Sequence, residues 1–140
     1  MTAEKFVGTW KLISYETRFE DGRVEYPMGK DAVGRVIYTI EGYMSGHLMR
    51  KRETAEFDTN NVQSEVLNKI TDHLSYTGRF EVRENTVVHF ADISVFPNWV
   101  DSEQVRFFEF EGDKLKLSTG PLKISGETQS AHLLWQRVTS

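Results

Sequence analysis

The chain has 140 residues, a formal net charge of -4, 39% hydrophobic and 27% charged residues, and no cysteine. That balance fits one globular domain over 1–140, long enough to bury about two-thirds of the surface its unfolded form exposes, and it excludes a disordered tract. The 17 basic residues are scattered, which argues against a nucleic-acid partner because such binding needs clustered Lys and Arg, and without cysteine neither a disulfide nor a thiolate zinc site can form.

Residues 1–7 lack the apolar core of a signal peptide, and no run approaches the ~20 apolar residues of a membrane span. The expectation is a cytoplasmic protein with no membrane partner. After one helical turn over 2–6, the β-branched and aromatic run 10–19 reads as a long strand. It turns at Asp21-Gly22 into a second strand over 23–28. Pro27 and Gly29 then interrupt pairing.

Segments 33–40 and 43–49 flank Glu41-Gly42, a second hairpin signal. An even-length loop there sets Tyr38 opposite Ser45 and Val36 opposite His47, and opposed residues share a face. The face with Val36, Tyr38 and Ile40 is read as the interior, bringing Ser45 and His47 with it. Over 62–74, Val62, Val66 and Ile70 recur every four residues beside Leu67 and Leu74, an apolar stripe that predicts the one substantial helix, capped by Asn60 or Asn61. It is read as a lid on the sheet, with His73 on it.

Strands over 76–83 and 86–93 flank Glu84-Asn85, pairing Phe80 with His89, Gly78 with Ala91 and Tyr76 with Ile93. Gly78 facing Ala91 suggests room at the middle of that inner face. The stretch 94–101, with Phe96-Pro97-Asn98-Trp99, must bend because proline has no N–H to donate. Strands over 104–110 and 113–119 flank Glu111-Gly112, which points Phe108, Leu115, Arg106 and Leu117 inward. Residues 121–129 read as a loop and 130–138 as the last strand, carrying His132. The predicted fold is all-β: an antiparallel up-and-down barrel of eight to nine strands with one short helix.

Gly8-Thr9-Trp10 resembles the G-x-W that opens lipocalins, and Arg137 sits where their closing strand carries a basic residue across that Trp. The ordered set 31–39, Gly42-Tyr43-Met44-Ser45, Tyr76-Thr77-Gly78-Arg79-Phe80, and Phe96-Pro97-Asn98-Trp99 with 104–108 is similar to the bacterial and fungal lipocalin-like domain family, of the calycin type. The resemblance implies a cup-shaped barrel for small, mostly apolar molecules. Some such barrels in natural-product biosynthesis act as cofactor-free cyclases or isomerases. Other lipocalin motifs, cysteines and a secretion signal are absent, which points away from extracellular transport.

The inward polar residues are Tyr38, Ser45, His47, His89 and Arg106, with Tyr76 and Trp99 near the rim. An arginine facing an apolar interior is costly unless paired, so Arg106 either meets Glu16, or Asp92 if the strand bulges to turn it from the face opposite His89, or awaits an anionic or carbonyl group of a ligand. His47 and His89 are candidate acid and base, with Tyr38 and Arg106 beside them; each histidine taken singly reads as neutral and hydrogen-bonded to a neighbouring Tyr or Ser. No metal-ligand spacing, nucleophile elbow or haem pattern is present, so no cofactor is expected. The reading is a small-molecule-binding barrel whose site draws on Tyr38, Ser45, His47, Tyr76, Gly78, Phe80, His89, Phe96, Trp99, Arg106 and Phe108. The alternative is a cofactor-independent cyclase, isomerase or dehydratase in the same cavity, and either would work as a monomer or homodimer.

Overall fold

A computed structural model of the chain describes residues 2–52 and 72–139. A short helix α1 (Thr2–Phe6) precedes β1 (Gly8–Phe19), β2 (Val24–Glu25), β3 (Val33–Tyr38), β4 (Tyr43–Met49), β5 (His73–Val82) and β6 (Thr86–Ser94). After a 3-10 turn (Pro97–Trp99) come β7 (Ser102–Glu111), β8 (Lys114–Ser118), β9 (Leu122–Ile124) and β10 (Glu127–Arg137). The hydrogen-bonded order is β2-β1-β3-β4-β5-β6-β7-β8-β10-β9, and β1 also pairs with β10. That last pairing closes eight antiparallel strands into a barrel, with β2 and β9 as short additions outside the ring.

The seam is built from the two ends of the chain. Trp10 lies opposite Arg137, and the guanidinium carbon of Arg137 sits 4.2 Å from the centre of the Trp10 ring. Arg137 also donates to the carbonyls of Val7, at 2.8 Å, and Lys5, while the Trp10 indole N–H donates to Phe6 O at 2.8 Å. Gly8 has φ +132, a conformation that favours glycine, and a Cβ there would stand 2.8 Å from Arg137 Nη1, which would have to shift.

Helix α1 thereby drops Phe6 into the closed end of the barrel, where it is fully buried. Its ring lies 5.2 Å from Tyr38, 5.0 Å from Phe108 and 4.9 Å from Phe110, all edge-on, and Tyr38 meets Phe80 at 4.8 Å. Edge-to-face aromatic packing of this kind fills space densely. These rings pack the closed end of the barrel.

Turn chemistry decides which side chains reach the upper half. Between β3 and β4, Thr39 N–H donates to Tyr43 O at 2.8 Å and Gly42 N–H to Thr39 O at 3.1 Å, with Gly42 at φ +98. This is a three-residue loop, a turn followed by a left-handed glycine, and not the even-length loop expected. Tyr38 therefore pairs with Met44, Val36 with Gly46, Ile37 with Ser45 and Arg35 with His47. A one-residue slip exchanges faces: Met44 is buried inside, Ser45 and His47 lie on the outer face, and Ile40 is an exposed turn residue.

At β7–β8 the turn is Gly112-Asp113, with Glu111 opposite Lys114. The shift from expectation is two residues, so the faces survive and Arg106, Phe108, Leu115 and Leu117 point inward as read. Two further segments depart from the reading. Residues 121–129 contain a hairpin rather than a loop, because Ser125 at φ 52 and Gly126 at φ 81 form a two-residue turn between β9 and β10. His73 and Leu74 belong to β5, with Leu74 opposite Leu48, and the remainder of the helix predicted over 62–74 lies outside the described residues.

Two β-bulges complete the frame. In β1 the register to β10 jumps between Leu12 and Ser14, leaving Ile13 as the extra residue, and in β6 it jumps opposite Thr77/Gly78, leaving Asp92 extra. Each bulge reverses the inside–outside alternation beyond it. Tyr76 consequently pairs with Ser94 instead of Ile93. At the second bulge Phe90 O crosses so close to Gly78 that a Cβ there would lie 1.8 Å away. Glycine is required at 78 by backbone approach, and not to leave the interior hollow.

If the seam carries the fold, Trp10→Ala should lose about 3–5 kcal/mol of stability and Gly8→Ala about 1–3 kcal/mol, both read from urea unfolding followed by circular dichroism. A Trp10→Ala variant as stable as the parent would show that closure rests elsewhere.

Candidate ligand-binding site

Above the aromatic floor lies a cavity of about 380 Å³, within the range of small-molecule sites. Its apolar wall comes from inward positions of six strands, among them Val36, Met44, Leu48, Leu117, Leu133 and Trp135. Phe96 and Trp99 border it on the bend before β7, their rings 5.8 Å apart, and Trp99 meets Tyr76 edge-on at 5.5 Å.

The polar part of the wall is compact. His89 is buried between two tyrosines, its Nε2 2.7 Å from Tyr38 Oη and its Nδ1 2.6 Å from Tyr76 Oη. Burial first, and then the positive charge of Arg106, lower the His89 pKa to about 3, so the imidazole is neutral at physiological pH. Burial raises the Tyr76 hydroxyl to about 12, against the opposing pull of Arg106, and Tyr38 is raised well above its ordinary value by burial and by Tyr76.

Arg106 reaches this wall from β7 and is held along its own strand. Its Nη1 donates to Val105 O at 2.9 Å and its Nη2 to Gln104 Oε1 at 3.4 Å. Gln104 in turn donates to Ser102 Oγ at 2.8 Å, and Ser102 to the carbonyl of Trp99. Among the described residues no carboxylate pairs with Arg106. The first bulge turns Glu16 outward, where it binds Arg18 at 3.2 Å, and puts Tyr15 on the cavity wall in its place. Asp92, at the second bulge, is exposed. Glu16 is thus removed by a bulge that simple alternation does not reveal, whereas alternation from His89 already turns Asp92 outward.

The sequence profile of the lipocalin-like domain family matches residues 7–138. The chain belongs to the lipocalin-like domain family. A 4'-hydroxy-3'-methoxypropiophenone carrier protein from Aspergillus oryzae is 35% identical to it over 108 residues, 68% of this chain and 96% of that relative.

In this lipocalin-like barrel Tyr76, His89, Phe96, Trp99 and Arg106 meet around one space. Tyr38 stands behind His89 as its support, while Phe80 and Phe108 belong to the floor with Phe6. Ser45 does not line that space; the His47 ring bonds Ser45 Oγ at 3.0 Å on the outer face, 6.4 Å from the His73 ring, and His47 also borders the cavity. His132 is bonded to Ser130 Oγ at 2.8 Å.

Sequence reasoning missed Tyr15, Met44, Leu133 and Trp135 as wall residues. Tyr15 depends on the bulge and Met44 on the loop length, whereas Trp135 and Leu133 stand at alternating positions of the last strand and were within reach of a parity argument. The Trp135 indole N–H is buried without a hydrogen-bond partner among the described residues.

A histidine whose folded pKa lies below its unfolded value binds its proton only in the unfolded chain over the interval between them. His89 should therefore add stability that is fully present above about pH 6.5 and drains away as pH falls toward 3. In urea titrations between pH 7 and pH 4, wild type should lose stability more steeply than His89→Gln, by up to one proton's worth of slope. Parallel profiles would mean that His89 is protonated in the fold.

Proposed function

We propose that the protein binds and carries a small, mostly apolar molecule whose one polar end is anionic or otherwise rich in acceptor oxygen, held in the barrel cavity against Arg106 and Tyr76. The observation that carries this reading is the charge balance of the wall: among its described residues Arg106 is the one permanent charge, and no Asp or Glu lines the space. An unpaired guanidinium beside apolar surface is expensive to desolvate. A carboxylate, phenolate or carbonyl oxygen entering with a ligand would relieve that cost.

The relative's name supports the same class, since it describes a carrier of an aryl ketone bearing hydroxyl and methoxy groups. Phe96, Trp99 and Trp135 are suited to a ring, which aromatic walls hold by offset or edge contact. Binding is favoured over acid–base chemistry by the site's own proton affinities. A catalytic base works best with a pKa near the operating pH, and His89 at about 3 with Tyr76 at about 12 stand far to either side.

Titration of the protein with aromatic acids and aryl ketones, followed by tryptophan fluorescence, should show saturable binding. Arg106→Leu should weaken an aromatic carboxylate by ~2 kcal/mol, about thirtyfold in Kd, and leave a neutral hydrocarbon of the same shape nearly unaffected. Loss of both ligands alike would make Arg106 a structural residue.

A further inference from the structure

The hydrogens on the buried trio can be counted. A neutral imidazole carries one N–H and one bare nitrogen, and it sits here between two hydroxyls, at 2.7 Å from Tyr38 and 2.6 Å from Tyr76. Three hydrogens serve two links. One is left over, and it belongs to whichever tyrosine accepts from the ring.

If Tyr38 accepts from Nε2–H, its own hydroxyl hydrogen has nowhere to go. Tyr38 is 1% exposed, its ring is packed between Phe6 and Phe80, and it makes no other hydrogen bond among the described residues. A buried donor left unmet costs about 1–3 kcal/mol. If instead Tyr38 donates to bare Nε2, the ring proton sits on Nδ1 and bonds Tyr76 Oη. The hydrogen left over is then the Tyr76 hydroxyl, and Tyr76 lines the cavity, where a guest can meet it. The depressed pKa of His89 keeps the ring in the neutral state on which the count depends.

We propose that Tyr38, His89 and Tyr76 form a one-way chain of hydrogen bonds, Tyr38 to His89 to Tyr76, that fixes the Tyr76 hydroxyl as a donor into the cavity and so selects ligands bearing a carbonyl oxygen at that point. With its lone pair engaged by His89 Nδ1–H, Tyr76 is a poor acceptor for a ligand hydroxyl, whereas its free hydrogen suits a ketone or carboxylate. Arg106, also purely a donor, lines the same space. The polar wall then gives hydrogen bonds and takes few. The chain names Tyr76 as a specificity-determining residue and His89 and Tyr38 as its positioning residues, and it rests on the cavity being a ligand site.

Two measurements test it. Nitrogen-15 NMR of histidine-labelled wild-type protein should find one imidazole that stays neutral at pH 5, with the proton on Nδ1 and none on Nε2; the reverse tautomer, or a ring that titrates near pH 6, overturns the chain without any ligand. Propiophenone and propylbenzene, which differ by a carbonyl in place of a methylene, are then titrated in parallel. Wild type should bind the ketone about five- to tenfold more tightly, and in the Tyr76→Phe variant the ratio of the two Kd values should fall to about one. A preference that survives in the variant assigns carbonyl recognition to Arg106 and overturns the inference, as does equal binding of the two probes by wild type. Absence of binding by both probes removes the ligand-site reading and this inference together.

Discussion

Everything in this barrel depends on β1 pairing with β10. An open eight-stranded sheet would present two unpaired edges and split its apolar face, and closure removes both at once. Trp10 and Arg137 hold the join from inside and outside the chain's first turn, with Gly8 letting the backbone pass beneath the guanidinium. Because α1 leads directly into that strand, the same join lowers Phe6 among Tyr38, Phe108 and Phe110. The closed end is packed, and space remains above it.

The boundary between floor and cavity is polar. His89 and Tyr38 are almost wholly removed from solvent, a placement that would be costly for each alone and is tolerated because each ring nitrogen has a partner. Neutrality is part of the arrangement: the dry surroundings and Arg106 both disfavour a second proton on the ring. Arg106 itself is steadied by Gln104, and Gln104 by Ser102 and the Trp99 carbonyl. The bend at Pro97–Trp99, which interrupts the ladder, thus also positions the one permanent charge among the described residues of the cavity wall.

The two bulges have an effect out of proportion to their size. One extra residue at Ile13 exchanges Glu16 for Tyr15 on the inner face, and one at Asp92 sets Ser94 in place of Ile93 opposite Tyr76. Without the first bulge the Glu16 carboxylate would stand within the barrel and could neutralise Arg106. With it, no carboxylate among the described residues lines the cavity, which is the property that the proposed acceptor-bearing ligand answers.

Much of this was legible in the residues. The strand-rich pattern, the inward Arg106 and the Phe80–His89 pairing follow from alternation over uninterrupted stretches, where the period of two leaves little choice, and the seam of Trp10 and Arg137 from the resemblance to lipocalins. The errors cluster where one residue more or less changes the parity. A three-residue loop at 40–42 sent Ser45 and His47 outward, and the bulges displaced Glu16 and Ile93. The sequence by itself determined the barrel and its aromatic, donor-rich interior, because burial periodicity is local. Only the tertiary structure decided which polar groups share the cavity, because loop length and bulge position emerge from how whole strands must register to close the ring.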